Sequence, residues 1–322
     1  MRVWSRTQKR PTGLFSRRVC LFRNISHGGQ GLCRSVEDFP TLMGRTLPKA
    51  LAMAIILMAA LSSPAWAAPL EVPAGYQLVW SDEFDTDGLP DPGKWAHETS
   101  RNREGWHNNE RQYYSSADGH NAIVRGGRLI ITARRESTRG KPDSGGQAYT
   151  SARLITRGKA AWTYGFFEIR AKMPCGQGTW PAIWALGTGG QWPDDGELDI
   201  MEHVGSKPDQ VSSAVHMAIG HGGQGVTGIR TLNSACTEFN RYQMLWTPQH
   251  VFFGVNGEVH LVFPKMDAGK RAWPFDEPSY LLLNLAIGGD LGGPVDDRIF
   301  PVSMEVDYVR VYQAPAGKSD RP

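Results

Sequence analysis

The chain has 322 residues and a formal charge of +3, with 37 Gly and 11 Trp. Residues 1–68 carry ten Lys or Arg and two acids, so the remainder, with 25 basic and 30 acidic residues, is net −5. The basic balance belongs to the N-terminal segment, which removes the case for a nucleic-acid partner. The Gly- and Trp-rich remainder suits a turn-rich β-protein.

Ala50 to Leu61 is a twelve-residue apolar run, preceded by Arg45 and Lys49 and followed by Ser62-Ser63-Pro64-Ala65-Trp66-Ala67. A basic flank, a short apolar run and an Ala-x-Ala site read as a secretory signal peptide, since a membrane span needs about twenty apolar residues. Cleavage is expected near Ala67 or Ala68. Met43 is the expected start, with residues 1–42 an over-extended reading frame or a long basic region. The Arg17-Arg18 pair lies too far upstream to read as a twin-arginine signal. The product would be secreted or periplasmic, monomeric, and free of the membrane after cleavage. Residues 69–322 would form one domain. Cys175 and Cys236 remain in it, and an oxidising compartment permits either a disulfide or two free thiols.

From there the chain reads as short strands punctuated by turns, the pattern of a β-sandwich or jelly roll. Tyr76–Trp80 is the first predicted strand. Residues 122–125 and 128–134 form a hairpin about Gly126-Gly127. Residues 152–156 and 165–173 alternate, and 181–186, 198–204 and 211–217 follow. Residues 242–246, 251–255 and 258–263 come next, and Asn256-Gly257 between the last two favours a type I′ turn. Residues 280–287 make a near-continuous apolar strand and 304–312 alternate to the end. Helical periodicity is nowhere sustained over ten residues.

Three carboxylates stand within six residues of the run Gly196-Glu197-Leu198-Asp199-Ile200-Met201-Glu202-His203. On a regular strand Glu197 and Asp199 share one face, while Glu202 falls on the other with Leu198 and Ile200. One extra residue at Ile200-Met201, a β-bulge, returns Glu202 to the face of the other two. Crowded acids push carboxyl pKa values apart. A protonated acid beside an ionised one is what retaining glycoside hydrolysis requires, at about 5–5.5 Å separation. Two long side chains converging over a concave sheet would close the roughly 13 Å that four strand steps span. A cation site or a solvated acidic strand would present the same three acids.

The aromatic residues favour a cleft. Trp180 and Trp184 fall on one face of a strand, and Trp192 lies just before the acids. Indoles beside carboxylates suit the flat C–H faces of sugar rings, although each could also fill a core. His216 would face the same cleft from a neighbouring strand. A metal hydrolase is disfavoured, because neither His216 nor His221 has a ligand-spaced partner on a helix.

Glu197-x-Asp199-x-x-Glu202 resembles the signature of glycoside hydrolase family 16, in the bulged form of bacterial laminarinases (endo-β-1,3-glucanases). The resemblance extends through Trp80-Ser81-Asp82-Glu83-Phe84, Asn108-Asn109-Glu110-Arg111-Gln112-Tyr113-Tyr114 and Tyr149-Thr150-Ser151-Ala152-Arg153-Leu154. It continues through Gly178-Thr179-Trp180-Pro181-Ala182-Ile183-Trp184, Leu283-Asn284-Leu285-Ala286-Ile287 and Val306-Asp307-Tyr308-Val309-Arg310. It implies an all-β jelly-roll sandwich of two curved antiparallel sheets with a substrate cleft across the concave face. It further implies Glu197 as nucleophile, Glu202 as general acid/base and Asp199 as modulator of the nucleophile. Trp180, Trp184 and Trp192 would be sugar platforms, with Asn109, Arg153, His216 and Asn284 as polar contacts. No catalytic cofactor is expected. A structural Ca²⁺ on the convex face would be held by Glu83 and Asp307, with backbone oxygens from the Gly126-Gly127 turn. Three departures stand out: Asn240 where His is usual, Arg111 for an apolar residue, and Cys175 in the loop before Trp180.

The implied activity is endo-hydrolysis of β-1,3-glucan. The same scaffold also serves mixed-linkage glucan, agarose or carrageenan, and specificity sits in loops. A non-catalytic glucan-binding protein is the other class, but such proteins lose the acids that this chain keeps.

Overall fold

A computed structural model describes residues 69–315. The expected leader, with its signal peptide, lies outside the described residues, as do the last seven. The strands in chain order are β1 (Gln77–Asp82), β2 (Ala96–His97), β3 (Gln112–Tyr114), β4 (Ala122–Val124), β5 (Leu129–Arg135), β6 (Tyr149–Ser151), β7 (Arg153–Ile155) and β8 (Gly165–Lys172). They continue with β9 (Thr179–Gly187), β10 (Glu197–His203), β11 (Gln210–His216), β12 (Val226–Thr231) and β13 (Asn240–Trp246). The last four are β14 (His250–Val255), β15 (Glu258–Pro264), β16 (Ser279–Ile287) and β17 (Val302–Gln313).

They make two sheets. The ten-stranded one runs β15-β14-β13-β8-β17-β5-β6-β3, with β1 beside β17 and β4 beside β5. The seven-stranded one runs β12-β11-β10-β9-β16-β7-β2. Pairing is antiparallel except between β3 and β6, a departure from the wholly antiparallel expectation. Neighbours such as β16 and β9 are far apart in sequence, as a Greek-key sandwich requires.

Alternation along the long strands builds the core. Phe167, Ile169 and Ala171 on β8 and Val306, Val309 and Val311 on β17 bury their side chains against Leu198 and Ile200 of β10 and Leu283 and Leu285 of β16. β16 is buried along its whole length, because one face meets this core and the other lies under the cleft. Trp246 is fully buried and donates its indole N–H to the Phe275 carbonyl at 3.0 Å. Removing such a ring typically costs about 3–5 kcal/mol. Asn256 and Gly257, at φ of 52° and 87°, close the β14–β15 hairpin as the type I′ reading expects.

Candidate active site

A cleft of about 1040 Å³ crosses the seven-stranded sheet. Its floor is β10, flanked by β9 and β11. Against β9 the register slips between Asp199 and Met201, and against β11 between Asp199 and Glu202. This is the bulge expected at Ile200-Met201. Leu198, Ile200 and Met201 all point into the core, and Glu197 and Glu202 both line the cleft. Gly196, immediately before the strand, has φ of 80°, and a Cβ there would come within 2.6 Å of the Phe275 ring. The entry to Glu197 therefore requires glycine.

Each acid has its own partner. Glu197 accepts the Trp192 indole N–H at 2.5 Å, and Glu202 accepts that of Trp180 at 3.1 Å. Asp199, buried between them, has its carboxylate 3.1 Å from Nε2 of His216. Burial first, and then the charge of Asp199, pushes Glu197 well above the usual carboxylate range. Burial and the charge of Glu202 do the same to Asp199. Glu202 is raised chiefly by burial, with Glu197 adding to the effect and the Trp180 bond opposing it. Three such groups cannot all ionise together. Their crowding favours keeping a proton on one of them, which suits a proton donor beside a carboxylate.

The expected sugar platforms divide. Trp180, Trp184 and Trp192 all line the cleft. Trp192 is 52% exposed, whereas Trp180 is only 8% exposed and is occupied with Glu202. Trp184 stands at the end of a relay: it donates to Asn284 Oδ1 at 2.7 Å, Asn284 donates to the Tyr114 hydroxyl at 3.1 Å, and Tyr114 donates to Glu110 at 3.5 Å. The Arg153 guanidinium lies between the Trp184 and Trp106 rings, 4.7 and 5.1 Å from their centroids, and its Nε donates to Glu98 at 2.6 Å.

The expected polar set divides as well. Asn284 is buried, accepts from Trp184 and donates to Tyr114, and does not line the cleft. Asn109 donates to Asp290 at 2.7 Å, at the rim, while its neighbours Asn108 and Glu110 line the cleft. Arg153 and His216 do line it. Glu110, Trp106 and Glu98 were not singled out from the sequence. Glu110 belongs to the Asn108–Tyr114 motif, and its burial, which raises its pKa, is the property that local sequence does not display.

The expected calcium ligands do not fit that role. Glu83 accepts two bonds from Arg310, at 3.0 and 2.8 Å, and Asp307 accepts one from Arg170 at 2.6 Å. Calcium wants six to eight oxygens, and here both carboxylates face guanidinium groups. Cys175 and Cys236, left open in the sequence, are joined, with Cα atoms 5.7 Å apart. The bond ties the loop before β9 to the one before β13.

A two-sheet β-sandwich with a tryptophan-lined cleft and clustered carboxylates defines a carbohydrate-active protein. Residues 109–310 match the family model for glycosyl hydrolases family 16. The chain is 49% identical over 253 residues to a beta-glucanase of Rhodothermus marinus, covering 74% of this chain and 85% of that protein. The solved laminarinase of Rhodothermus marinus is 48% identical, with a TM-score of 0.70 over 74% of this chain and 97% of that one. SCLam, described as a non-specific endo-beta-1,3(4)-glucanase, is 44% identical with a TM-score of 0.74, over 76% and 94% of the two chains. The protein is a member of glycoside hydrolase family 16.

Proposed function

We propose that this protein is an exported, monomeric endo-β-1,3-glucanase that cleaves with retention of anomeric configuration. The single observation that carries the reading is the bulge at Ile200, which sets Glu197, Asp199 and Glu202 on one surface under tryptophan platforms. Glu197 attacks the anomeric carbon and Glu202 protonates the departing oxygen. Water then hydrolyses the glycosyl-enzyme with Glu202 as base. Once Glu197 is esterified its charge is gone, the pKa of Glu202 falls, and the acid becomes a base. Asp199, placed between the two glutamates beside His216, holds the nucleophile's orientation and charge.

The open cleft favours attack within a chain, and the laminarinase and beta-glucanase relatives support β-1,3-glucan as the polymer. Export is inferred from the basic-then-apolar segment ending near Ala68. No step needs a metal. The second reading, mixed-linkage β-1,3-1,4-glucan, is favoured by the likeness to SCLam. Reducing ends released from laminarin, mixed-linkage glucan, agarose and carrageenan decide between them. The proposal requires laminarin to be cleaved with the highest kcat/KM, into internal fragments. A preference for either galactan overturns it.

A further inference from the structure

The bulge that gathers the acids has a support of its own. Ile200 has no register partner on either β9 or β11, so its carbonyl needs a donor from elsewhere. Ser213 is the β11 residue that falls opposite the bulge, between the pairs Asp199–Ala214 and Glu202–Ser212. It is fully buried, and its hydroxyl donates to the Ile200 carbonyl at 2.8 Å. Having spent its one proton, that hydroxyl can only accept from its other neighbour. The neighbour is Nε2 of His260, 2.9 Å away on β15, at the edge of the opposite sheet.

The proton assignment follows. Nε2 of His260 carries hydrogen, and its Nδ1, buried and without a partner, is bare. Burial holds the ring neutral by lowering its pKa to about 4. Gly228 on β12 makes room for the crossing, since a Cβ there would lie 2.7 Å from Leu261 and 3.1 Å from the His260 carbonyl. A chain of two hydrogen bonds thus runs from the far sheet to the bulged residue, two positions before Glu202.

We propose that His260 and Ser213 are positioning residues: together they fix the bulge at Ile200 and so set where Glu202 stands relative to Glu197. The proposal rests on the reading of Glu202 as general acid/base. Without the prop the bulge is free to relax towards regular register, which would turn Glu202 away from the cleft. Neither residue lines the cleft. Displacing an acid by about 1 Å is enough to cost roughly a hundredfold.

The test compares two substrates that differ in their need for an acid. The natural leaving group of laminarin requires protonation, whereas dinitrophenol leaves without it. For His260→Leu and Ser213→Ala, kcat/KM on laminarin should fall by roughly tenfold to a hundredfold with KM nearly unchanged. On a dinitrophenyl laminaribioside, kcat/KM should stay within about threefold of wild type. His260→Gln, which keeps a donor for Ser213, should recover most of the loss. Equal losses on both substrates, no loss in His260→Leu, or no recovery in His260→Gln would overturn the proposal. Should Ser213→Ala fail to fold, the two His260 variants decide alone. If the wild type ignores laminarin, the function reading fails separately, and the comparison is repeated on the polymer it does cleave.

Discussion

Trp180 donates its indole N–H to the Glu202 carboxylate at 3.1 Å, so a residue expected to stack on sugar also tunes the proposed general acid. The bond favours the ionised form and opposes the rise that burial imposes on Glu202. Trp180→Phe keeps an aromatic ring but removes the donor. The pKa of Glu202 should then rise further, and the alkaline limb of the kcat/KM profile, where the protonated acid is lost, should move to higher pH. A limb that stays in place or moves down would mean that another group titrates there.

Crowding the acids also costs stability. Glu202 has a raised pKa in the folded state, so over the window from its unfolded value upward the unfolded chain releases its proton first. Stability is complete below that window and falls as pH rises through it. Glu202→Gln removes the ionisation and should raise Tm at neutral pH by about 2–4 °C, which roughly 1 kcal/mol gives a domain of this size. The gain should vanish below about pH 4, where both states are protonated. Melting curves across pH check this, and a gain that persists in acid would assign it to packing instead.

Arg153 lines the cleft with its guanidinium over the Trp184 ring, so it supports that ring as well as facing the cleft. Its guanidinium lies over both the Trp106 and Trp184 rings, and its Nε is held by Glu98. Replacing the pair with Arg153→Met and Glu98→Gln avoids stranding a charge. KM for laminarin should rise about fivefold, as roughly 1 kcal/mol of lost cation–π contact implies, while kcat changes little. An equal fall in kcat would place Arg153 in the chemistry.

The calcium expectation now becomes a test of ion pairs. Arg310, through its hydrogen bonds, holds the Glu83 carboxyl below its usual range. The pair therefore stabilises at neutral pH and is lost as pH falls through that lowered value. Chelator should leave Tm unmoved, and Glu83→Gln should lower it by no more than about 1 kcal/mol equivalent, since the pair is a third exposed. A chelator-induced drop in Tm would restore a cation to this face.

How much of this was legible depended on distance along the chain. The bulge could be read because a regular strand over Glu197, Leu198, Asp199, Ile200 and Glu202 cannot bury the apolar pair and also keep the three acids on one face. Trp180 and Trp184 followed from alternation on a single strand. The task given to Asn284 could not be read, because its partner Tyr114 lies 170 residues away. β12 was missed for a different reason. It is an edge strand with an open face, so Val226–Thr231 carries little burial pattern, and Ile229 is 67% exposed. The parallel pair β3–β6 is three residues long on each side, too short for a period to show.

The last prediction separates the two glutamates by the face from which each acts. Glu197 and Glu202 both line the cleft and both sit on β10, so truncating either should remove most activity, by roughly two to four orders of magnitude. Azide should distinguish them. In Glu197→Ala it enters the space left by the nucleophile and attacks from that face, giving an α-glycosyl azide. In Glu202→Ala, with an activated substrate, Glu197 still forms the covalent intermediate, and azide displaces it from the opposite face to give the β-azide. Proton NMR of the anomeric signal reads the outcome. Exchange of the two anomers between the two variants would reverse the assigned roles. Inverted product from the wild type would remove the covalent intermediate, and with it the need for Glu202 to change from acid to base.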